Sequence, residues 1–474
     1  MIELATERIK DYDTKRREEM ETLKQQVIDS AKALEERRRR HASRTAYHGG
    51  KLPVEIFGEI FGLLVAHDVA QAIVVSHVCK HWRAMALSTP SLWKTLVLAK
   101  KDPARKTREW IKRSQSHIRE LCVRVQFQDS TVPLTSALLG FPWNHLRVCR
   151  VYHAASFEIN QILIDISATN ILANLVELED VGSPGKELKV HFNWRIFGFQ
   201  LRSLIIENQV VSWDDLSGFT KLVSLVVRHS FASSAGCVLN VFEANPMLEK
   251  VVLDAIVPLS HPLAVLAPTL PRLTHLEIAR ALTRNFSITM PSLQILRLNF
   301  IVSGADELLG SILDRGPVML TELRIQSSVI TSSKLIPLLR AASSLKTFVL
   351  SHFDGQVNTI VEALASYPSP SQDVPSPFET IMCPLLTHIN LSACPGLKTG
   401  AIMRFVKSRL PSVAPETSQH TTIVDKNVST VAQIETLVLN NCPMIEPEVL
   451  PWLRSRVQTV SCVYATGKNA KWKR

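Results

Sequence analysis

The stretch Ser76 to Met85, SHVCKHWRAM, gathers His77, Cys79, His81 and Trp82. Two imidazoles and a thiol so close together suggest a metal site or a catalytic Cys–His pair. Spacing argues against both. On a helix, residues three and four apart share a face, whereas residues two apart point to different sides. His77 and His81 can therefore face one way, and Cys79 points elsewhere. The apolar residues Val74, Val75, Val78, Cys79, Trp82, Met85 and Ala86 recur instead at steps of three and four, the stripe of an amphipathic helix. Cys79 reads as part of that stripe, behaving as a small hydrophobe. The face it belongs to packs on a core or on a partner.

No other chemistry stands out. The chain lacks GxSxG, HExxH, P-loop and GxGxxG motifs. His275 and His388 occupy the same place in LTHLEI and LTHINL and read as a surface position rather than a ligand pair. Asp214 and Asp215, after Trp213, read as a helix cap. The expectation is a protein that is not an enzyme and that uses no metal or cofactor.

The elements around the opening stretch are short. Pro53 suits a helix start, because its missing N–H is not needed in the first turn. Ile56, Phe57, Ile60, Phe61 and Leu64 then make a broad apolar face. Asp68 suits the N-cap of a second helix running through Val75, and a third holds Val78, Cys79 and Trp82 until Ser88-Thr89-Pro90 stops it. Three such helices form a small core that must lean on a partner or on the next domain.

The order Leu52-Pro53-x-Glu55-Ile56, Ile60-Phe61, Val78-Cys79-Lys80-x-Trp82-Arg83 and Leu92-Trp93-x-x-Leu96-x-Leu98 closely resembles the F-box. Val69 after Asp68, where Leu is common, and His81, where Arg or Lys is frequent, are mild departures. The resemblance implies docking on the Skp-family adaptor of a cullin–RING ubiquitin ligase. It further implies that Leu52, Pro53, Ile56, Ile60, Val78, Cys79 and Trp82 contact that adaptor.

Beyond the F-box a pattern of three apolar residues, L-x-x-L-x-L, returns many times, as in LRSLII from Leu201, LTHLEI from Leu273 and LKTFVL from Leu345. From residue 93 to residue 345 successive copies start 20 to 29 residues apart. That is the period of leucine-rich repeats, in which one strand and one return segment stack on their neighbours to share a core. Two copies, LTHINLSACPGL with Cys394 and IETLVLNNCPMI with Cys442, resemble the cysteine-containing repeats of F-box proteins; the rest are degenerate. The expected fold is α/β. It comprises a charged N-terminal helix over 1–48 with at most a weak coiled coil, an F-box over 50–98, and a repeat solenoid over 99–465. The solenoid would be a horseshoe with parallel strands on its concave face, with inserted Pro/Ser/Thr-rich loops at 367–380 and 410–430. A basic tail over 466–474 follows.

Net charge is +11, but residues 100–124 carry nine Lys/Arg against three acids and the last 24 residues carry six against none. The remainder is close to neutral. On the expected strands the x positions mix signs: Arg147, Arg150, Glu177, Glu179, Arg202, Glu249, Lys250, Glu277, Arg297, Glu322, Arg324 and Lys346. Mixed signs favour a protein ligand over nucleic acid. The N-terminus lacks the apolar core of a signal peptide and no apolar run suits a membrane span, which points to cytoplasm or nucleus. Eight scattered Cys suit a reducing compartment. The function expected is a non-catalytic substrate receptor of a Skp–cullin–F-box ligase. The alternatives are a basic solenoid that binds RNA or another polyanion, and a ligase-independent Skp-bound scaffold.

Overall fold

The computed structural model describes residues 2–49, 53–99, 102–124, 134–152, 162, 172, 174–182, 200–209, 213–232, 235–258, 268–280, 288–314, 318–353, 355–365, 381–410 and 431–464. The chain forms two compact units, Met1–Trp93 and Lys94–Arg474. Leu52, the serines of Ser369-Pro370 and Ser376-Pro377, nearly all of both inserted loops and the basic tail lie outside the described residues.

The first unit begins with one uninterrupted helix, α1 (Ile2–Gly49), consistent with a sequence that has no Pro or Gly before its end. Three shorter helices follow: α2 (Val54–His67), α3 (Gln71–Ser76) and α4 (Lys80–Ser88). A single turn, Pro90–Trp93, closes the unit. Its keystone is Trp93, fully buried, whose indole N–H donates to the Ala86 carbonyl at 2.8 Å.

Two helix boundaries differ from the sequence expectation. The backbone leaves α3 at His77, and Cys79 is extended (φ −156°, ψ 172°), so the third helix starts at Lys80 and excludes Val78 and Cys79. Cys79 caps this helix: its Sγ accepts from the Trp82 N–H at 3.4 Å. The apolar stripe read across Val74 to Ala86 therefore belongs to two helices and the turn between them. Asp68 acts two residues ahead of α3, accepting from the Ala70 N–H at 3.0 Å. Ala70, without a capping side chain, holds the N-cap place.

Among the described residues the second unit is one sheet of fourteen parallel strands in sequential order, β1 (Thr95–Leu98) to β14 (Thr459–Ser461), with both end strands unpaired there on their outer sides. Each L-x-x-L-x-L copy places its fourth and sixth residues on a strand, facing the core. The register stacks like on like: Leu296 lies beside Leu323, and Leu323 beside Phe348. The first apolar residue of each copy is buried just before its strand, as at Leu201, Leu273, Leu320 and Leu345. Burying such a side chain contributes roughly 1.5–3 kcal/mol. One repeat cannot cover these residues by itself, so the neighbours supply the cover.

How each strand ends is the least expected feature. In nine described copies the eighth residue turns left-handed across very different residue types: Asn208, His229, Ala255, Arg280, Phe300, Ser327, His352, Ala393 and Asn441 all have φ between 47° and 57°, whereas Gly182 and Tyr464 at the same position do not. Among them only Asn and His favour that region, so at Ala255, Arg280, Phe300, Ser327 and Ala393 the surrounding sheet imposes it. The N–H of this residue donates to the next repeat, as from Phe300 to the Gln326 carbonyl (2.7 Å) and from Ser327 to the Ser351 carbonyl (2.9 Å). The ninth residue then dives into the core. Ser328 donates to the Leu298 carbonyl, Cys394 to that of Leu350 and Cys442 to that of Leu391, each the sixth position of the preceding copy. Ile256, Ile301 and Phe353 fill the same place with apolar volume.

Cys442→Ala should therefore lower unfolding free energy by about 1–3 kcal/mol, because it orphans the Leu391 carbonyl. Cys442→Ser, which keeps a donor, should lose less. Urea titration of both variants checks this, and equal losses would assign the effect to packing alone.

Candidate interaction surfaces

On α2 the residues Phe57, Phe61 and Val65 recur every fourth position and are buried. Trp82 from α4 lies against two of them, with ring centroids 5.8 Å from Phe57 and 5.1 Å from Phe61. His81 sets its ring edge-on to Phe57 at 6.1 Å. The His81 imidazole and the Cys79 thiol of the opening stretch are thus spent on packing and capping. Among the described residues no three His, Cys, Asp or Glu side chains gather to hold a metal.

The neighbouring arc of the same helix is equally apolar and faces outward. Ile56 is 46% exposed and Ile60 40%, with Leu63 and Leu64 completing the stripe. Ile73 and Val74 on α3, and Val78 in the turn (56% exposed), also stand open. A unit this small with so many open large hydrophobic side chains carries an interaction surface by ordinary physical criteria. Of the residues expected to meet an adaptor, Pro53, Ile56, Ile60, Val78 and Cys79 are exposed. Trp82 is only partly so, and much of its ring belongs to the internal cluster. Leu63 and Val74 are surface members that the motif did not single out; their place in the outward stripes was the available signal.

Residues 50–99 match the F-box-like family. No curated protein sequence matches the chain. Among solved structures, an internalin (InlF) from Listeria monocytogenes aligns at 14% identity over 65% of this chain and 89% of its own, with a TM-score of 0.32. The leucine-rich-repeat architecture rests on this chain's own strands, spacing and register. An F-box-like domain followed by such repeats is an adaptor-binding and protein-interaction arrangement. No helix of the described residues is long and apolar enough to cross a membrane.

Beyond the F-box-like domain, the open face of the sheet carries the third, fifth and seventh residues of each copy. Eight of the charged x positions lie there; Arg147, Arg202, Glu249 and Lys346 instead stand at the second position, just ahead of their strands. The charges on the face pair across strands. Arg150 reaches Glu120, Glu177 and Glu179 at 3.4–3.8 Å, and Arg297 bridges Glu277 (3.5 Å) and Glu322 (2.8 Å). Arg324 also holds Glu322, and the two guanidiniums keep that carboxyl below its ordinary range against the opposing effect of burial. Much of the mixed-sign face is thus self-neutralised. Each such pair at half-exposed depth adds little stability.

The basic segment is also partly committed. Helix α5 (Pro103–Arg113) is capped by Asp102, which accepts from the Arg105 N–H. It buries Trp110, whose indole donates to the Thr95 carbonyl at 2.9 Å, while Lys106 and Arg113 lie over the ring. Asp214 and Asp215 fall inside the first turn of a short helix, Trp213–Leu216, rather than ahead of it.

His275 and His388 share the third position, as their sequence match requires. Burial, then the nearby Arg297 and Lys250, hold the His275 ring below its ordinary pKa, against the pull of Glu277. The folded chain therefore binds this proton less readily than the unfolded chain. The residue's contribution is complete above the unfolded pKa of about 6.5 and is lost as pH falls from there through the lower folded value. His275→Gln should make the melting temperature less sensitive to pH over that mildly acidic window, as thermal melts at stepped pH would show. Within the helical unit, Phe61→Ala should cost about 3–5 kcal/mol and Ile60→Ala under about 1 kcal/mol, since one is core and the other surface. Denaturant unfolding read through tryptophan fluorescence checks the contrast.

Proposed function

We propose that this protein is a substrate receptor of a Skp–cullin–F-box ubiquitin ligase, with the helical unit docked on the Skp-family adaptor and the repeats holding a protein target. The observation that carries the reading is the double face of α2. Phe57, Phe61 and Val65 close the domain's own core, and Ile56, Ile60, Leu63 and Leu64 repeat the same periodicity toward solvent. A helix that needs only an internal core has no use for the second stripe.

In this reading the chain supplies position, not reactive groups. Tethering a target beside the ligase's ubiquitin-carrying partner raises the effective concentration of its lysines and makes transfer effectively intramolecular. Pro53 fixes the entry to α2, and Ile56, Ile60, Val78 and Cys79 offer the adaptor a dehydrated apolar patch. Leu52 joins them by the F-box resemblance. Trp82 acts on the patch mainly from behind, by setting the packing of Phe57 and Phe61. A ligase-independent Skp-bound scaffold would use the same residues and differ only in lacking ubiquitin transfer.

A pull-down of the full chain with purified Skp adaptor tests the reading. Ile56→Ala/Ile60→Ala should remain folded by circular dichroism and bind about tenfold or more weakly, as paired interface anchors do. Trp82→Ala should lose binding together with thermal stability. Unchanged adaptor affinity in the folded Ile56/Ile60 double variant would rule out this surface as the dock.

A further inference from the structure

The second position of each copy, just ahead of its strand, forms a row along one edge of the sheet. Its backbone is pinned there: the Arg119 carbonyl accepts the N–H groups of Arg147 (2.8 Å) and Val148 (3.1 Å), and the Arg147 carbonyl those of Val176 and Glu177. Reading along the chain from β1 to β5 (Ser203–Glu207), the row is Lys94, Arg119, Arg147, Val176 and Arg202. From β6 (Ser224–Ala232) onward it is Val223, Glu249, Thr274, Gln294, Thr321, Lys346, Thr387, Glu435 and Gln458. Positive charge is therefore concentrated over the first five strands and absent as a run thereafter.

Unlike the arginines of the open face, these cations are unspent. Lys94, Arg119, Arg147 and Arg202 are exposed, and none of their side chains has a hydrogen bond or ion pair among the described residues. The nearest acid in sequence, Glu120, is engaged elsewhere, accepting from the Thr95 hydroxyl (3.2 Å) and facing Arg150. Three like charges on adjacent strands, about 4.8 Å apart per step, and a fourth two strands further on repel one another and lower stability unless a counter-charge arrives. The exposed Lys112 near the end of α5 adds to the same sign.

We propose that this edge binds an extended acidic segment of the protein target, an inference that rests on the target-holding role given to the repeats. Five strands span about 19 Å, which matches about six extended residues at about 3.3 Å each. Single-stranded nucleic acid fits less well, because it needs exposed aromatic platforms beside its cations. Here Trp110, Phe141 and Trp143 are buried, and Tyr152 has Arg124 over its ring.

The test is fluorescence anisotropy of the full chain with a fluorescein-labelled octaglutamate probe. Saturable binding is expected, weakening as salt rises because exposed charges are screened. Arg119→Glu/Arg147→Glu should weaken it about tenfold or more, while Lys346→Glu, in the same row but outside the cationic run, should leave it unchanged. Circular dichroism must show both variants folded. No saturable binding, or equal loss from Lys346→Glu, would overturn the proposal. Tighter binding of an oligothymidylate probe with the same sensitivity to Arg119 and Arg147 would overturn it in favour of nucleic acid. The adaptor pull-down on the same samples reports separately on the docking reading, so the two can fail independently.

Discussion

The structure of the second unit depends on what happens to the backbone carbonyl at the inner end of each strand. As the chain leaves the parallel ladder it must turn away, which strands a polar group in an apolar interior unless something meets it. The left-handed eighth residue makes the turn, and the ninth reaches inward, with Ser328, Cys394 and Cys442 each donating to the strand before. At these three sites the donor sits one repeat further on, so the carbonyl is not satisfied by its own repeat. Stacking is thus enforced by hydrogen bonding as well as by leucine burial.

That constraint also governs where charge goes. Strand neighbours in register bring equivalent positions close together, so the open face can pair Arg150 and Arg297 with acids on adjacent strands. The second position lies before the ladder begins and meets the same position of the next copy. Where consecutive copies carry cations there, as at Lys94, Arg119 and Arg147, the sheet holds them side by side without relief. In the helical unit the division is between faces of one helix: aromatic rings and Trp82 close inward, and aliphatic residues stand exposed on the other side.

Much of this was legible from residues alone. The period of the apolar triplets specified stacked parallel strands, because only a solenoid lets every copy share one core. The order of Leu, Pro, Ile, Cys and Trp over residues 52–98 was enough to name the docking family. Other features needed the third dimension. Periodicity ran one helix through Val78 and Cys79, since a turn that keeps apolar residues three and four apart looks the same as a helix in sequence; the extended backbone at Cys79 made it a cap. Trp82 looked like a contact residue, and only packing showed how far Phe57 and Phe61 claim its ring.

The sequence by itself determined which residues are buried on each repeat and that the repeats must stack, because burial follows from side-chain type and period. Tertiary structure decided which charges are free. An arginine's availability depends on what lies one strand away, some 20 to 30 residues distant along the chain, and no local pattern carries that information. The same holds for the left-handed turns, which Phe300, Ala255 and Arg280 adopt against their own preference because the sheet on either side leaves no other path.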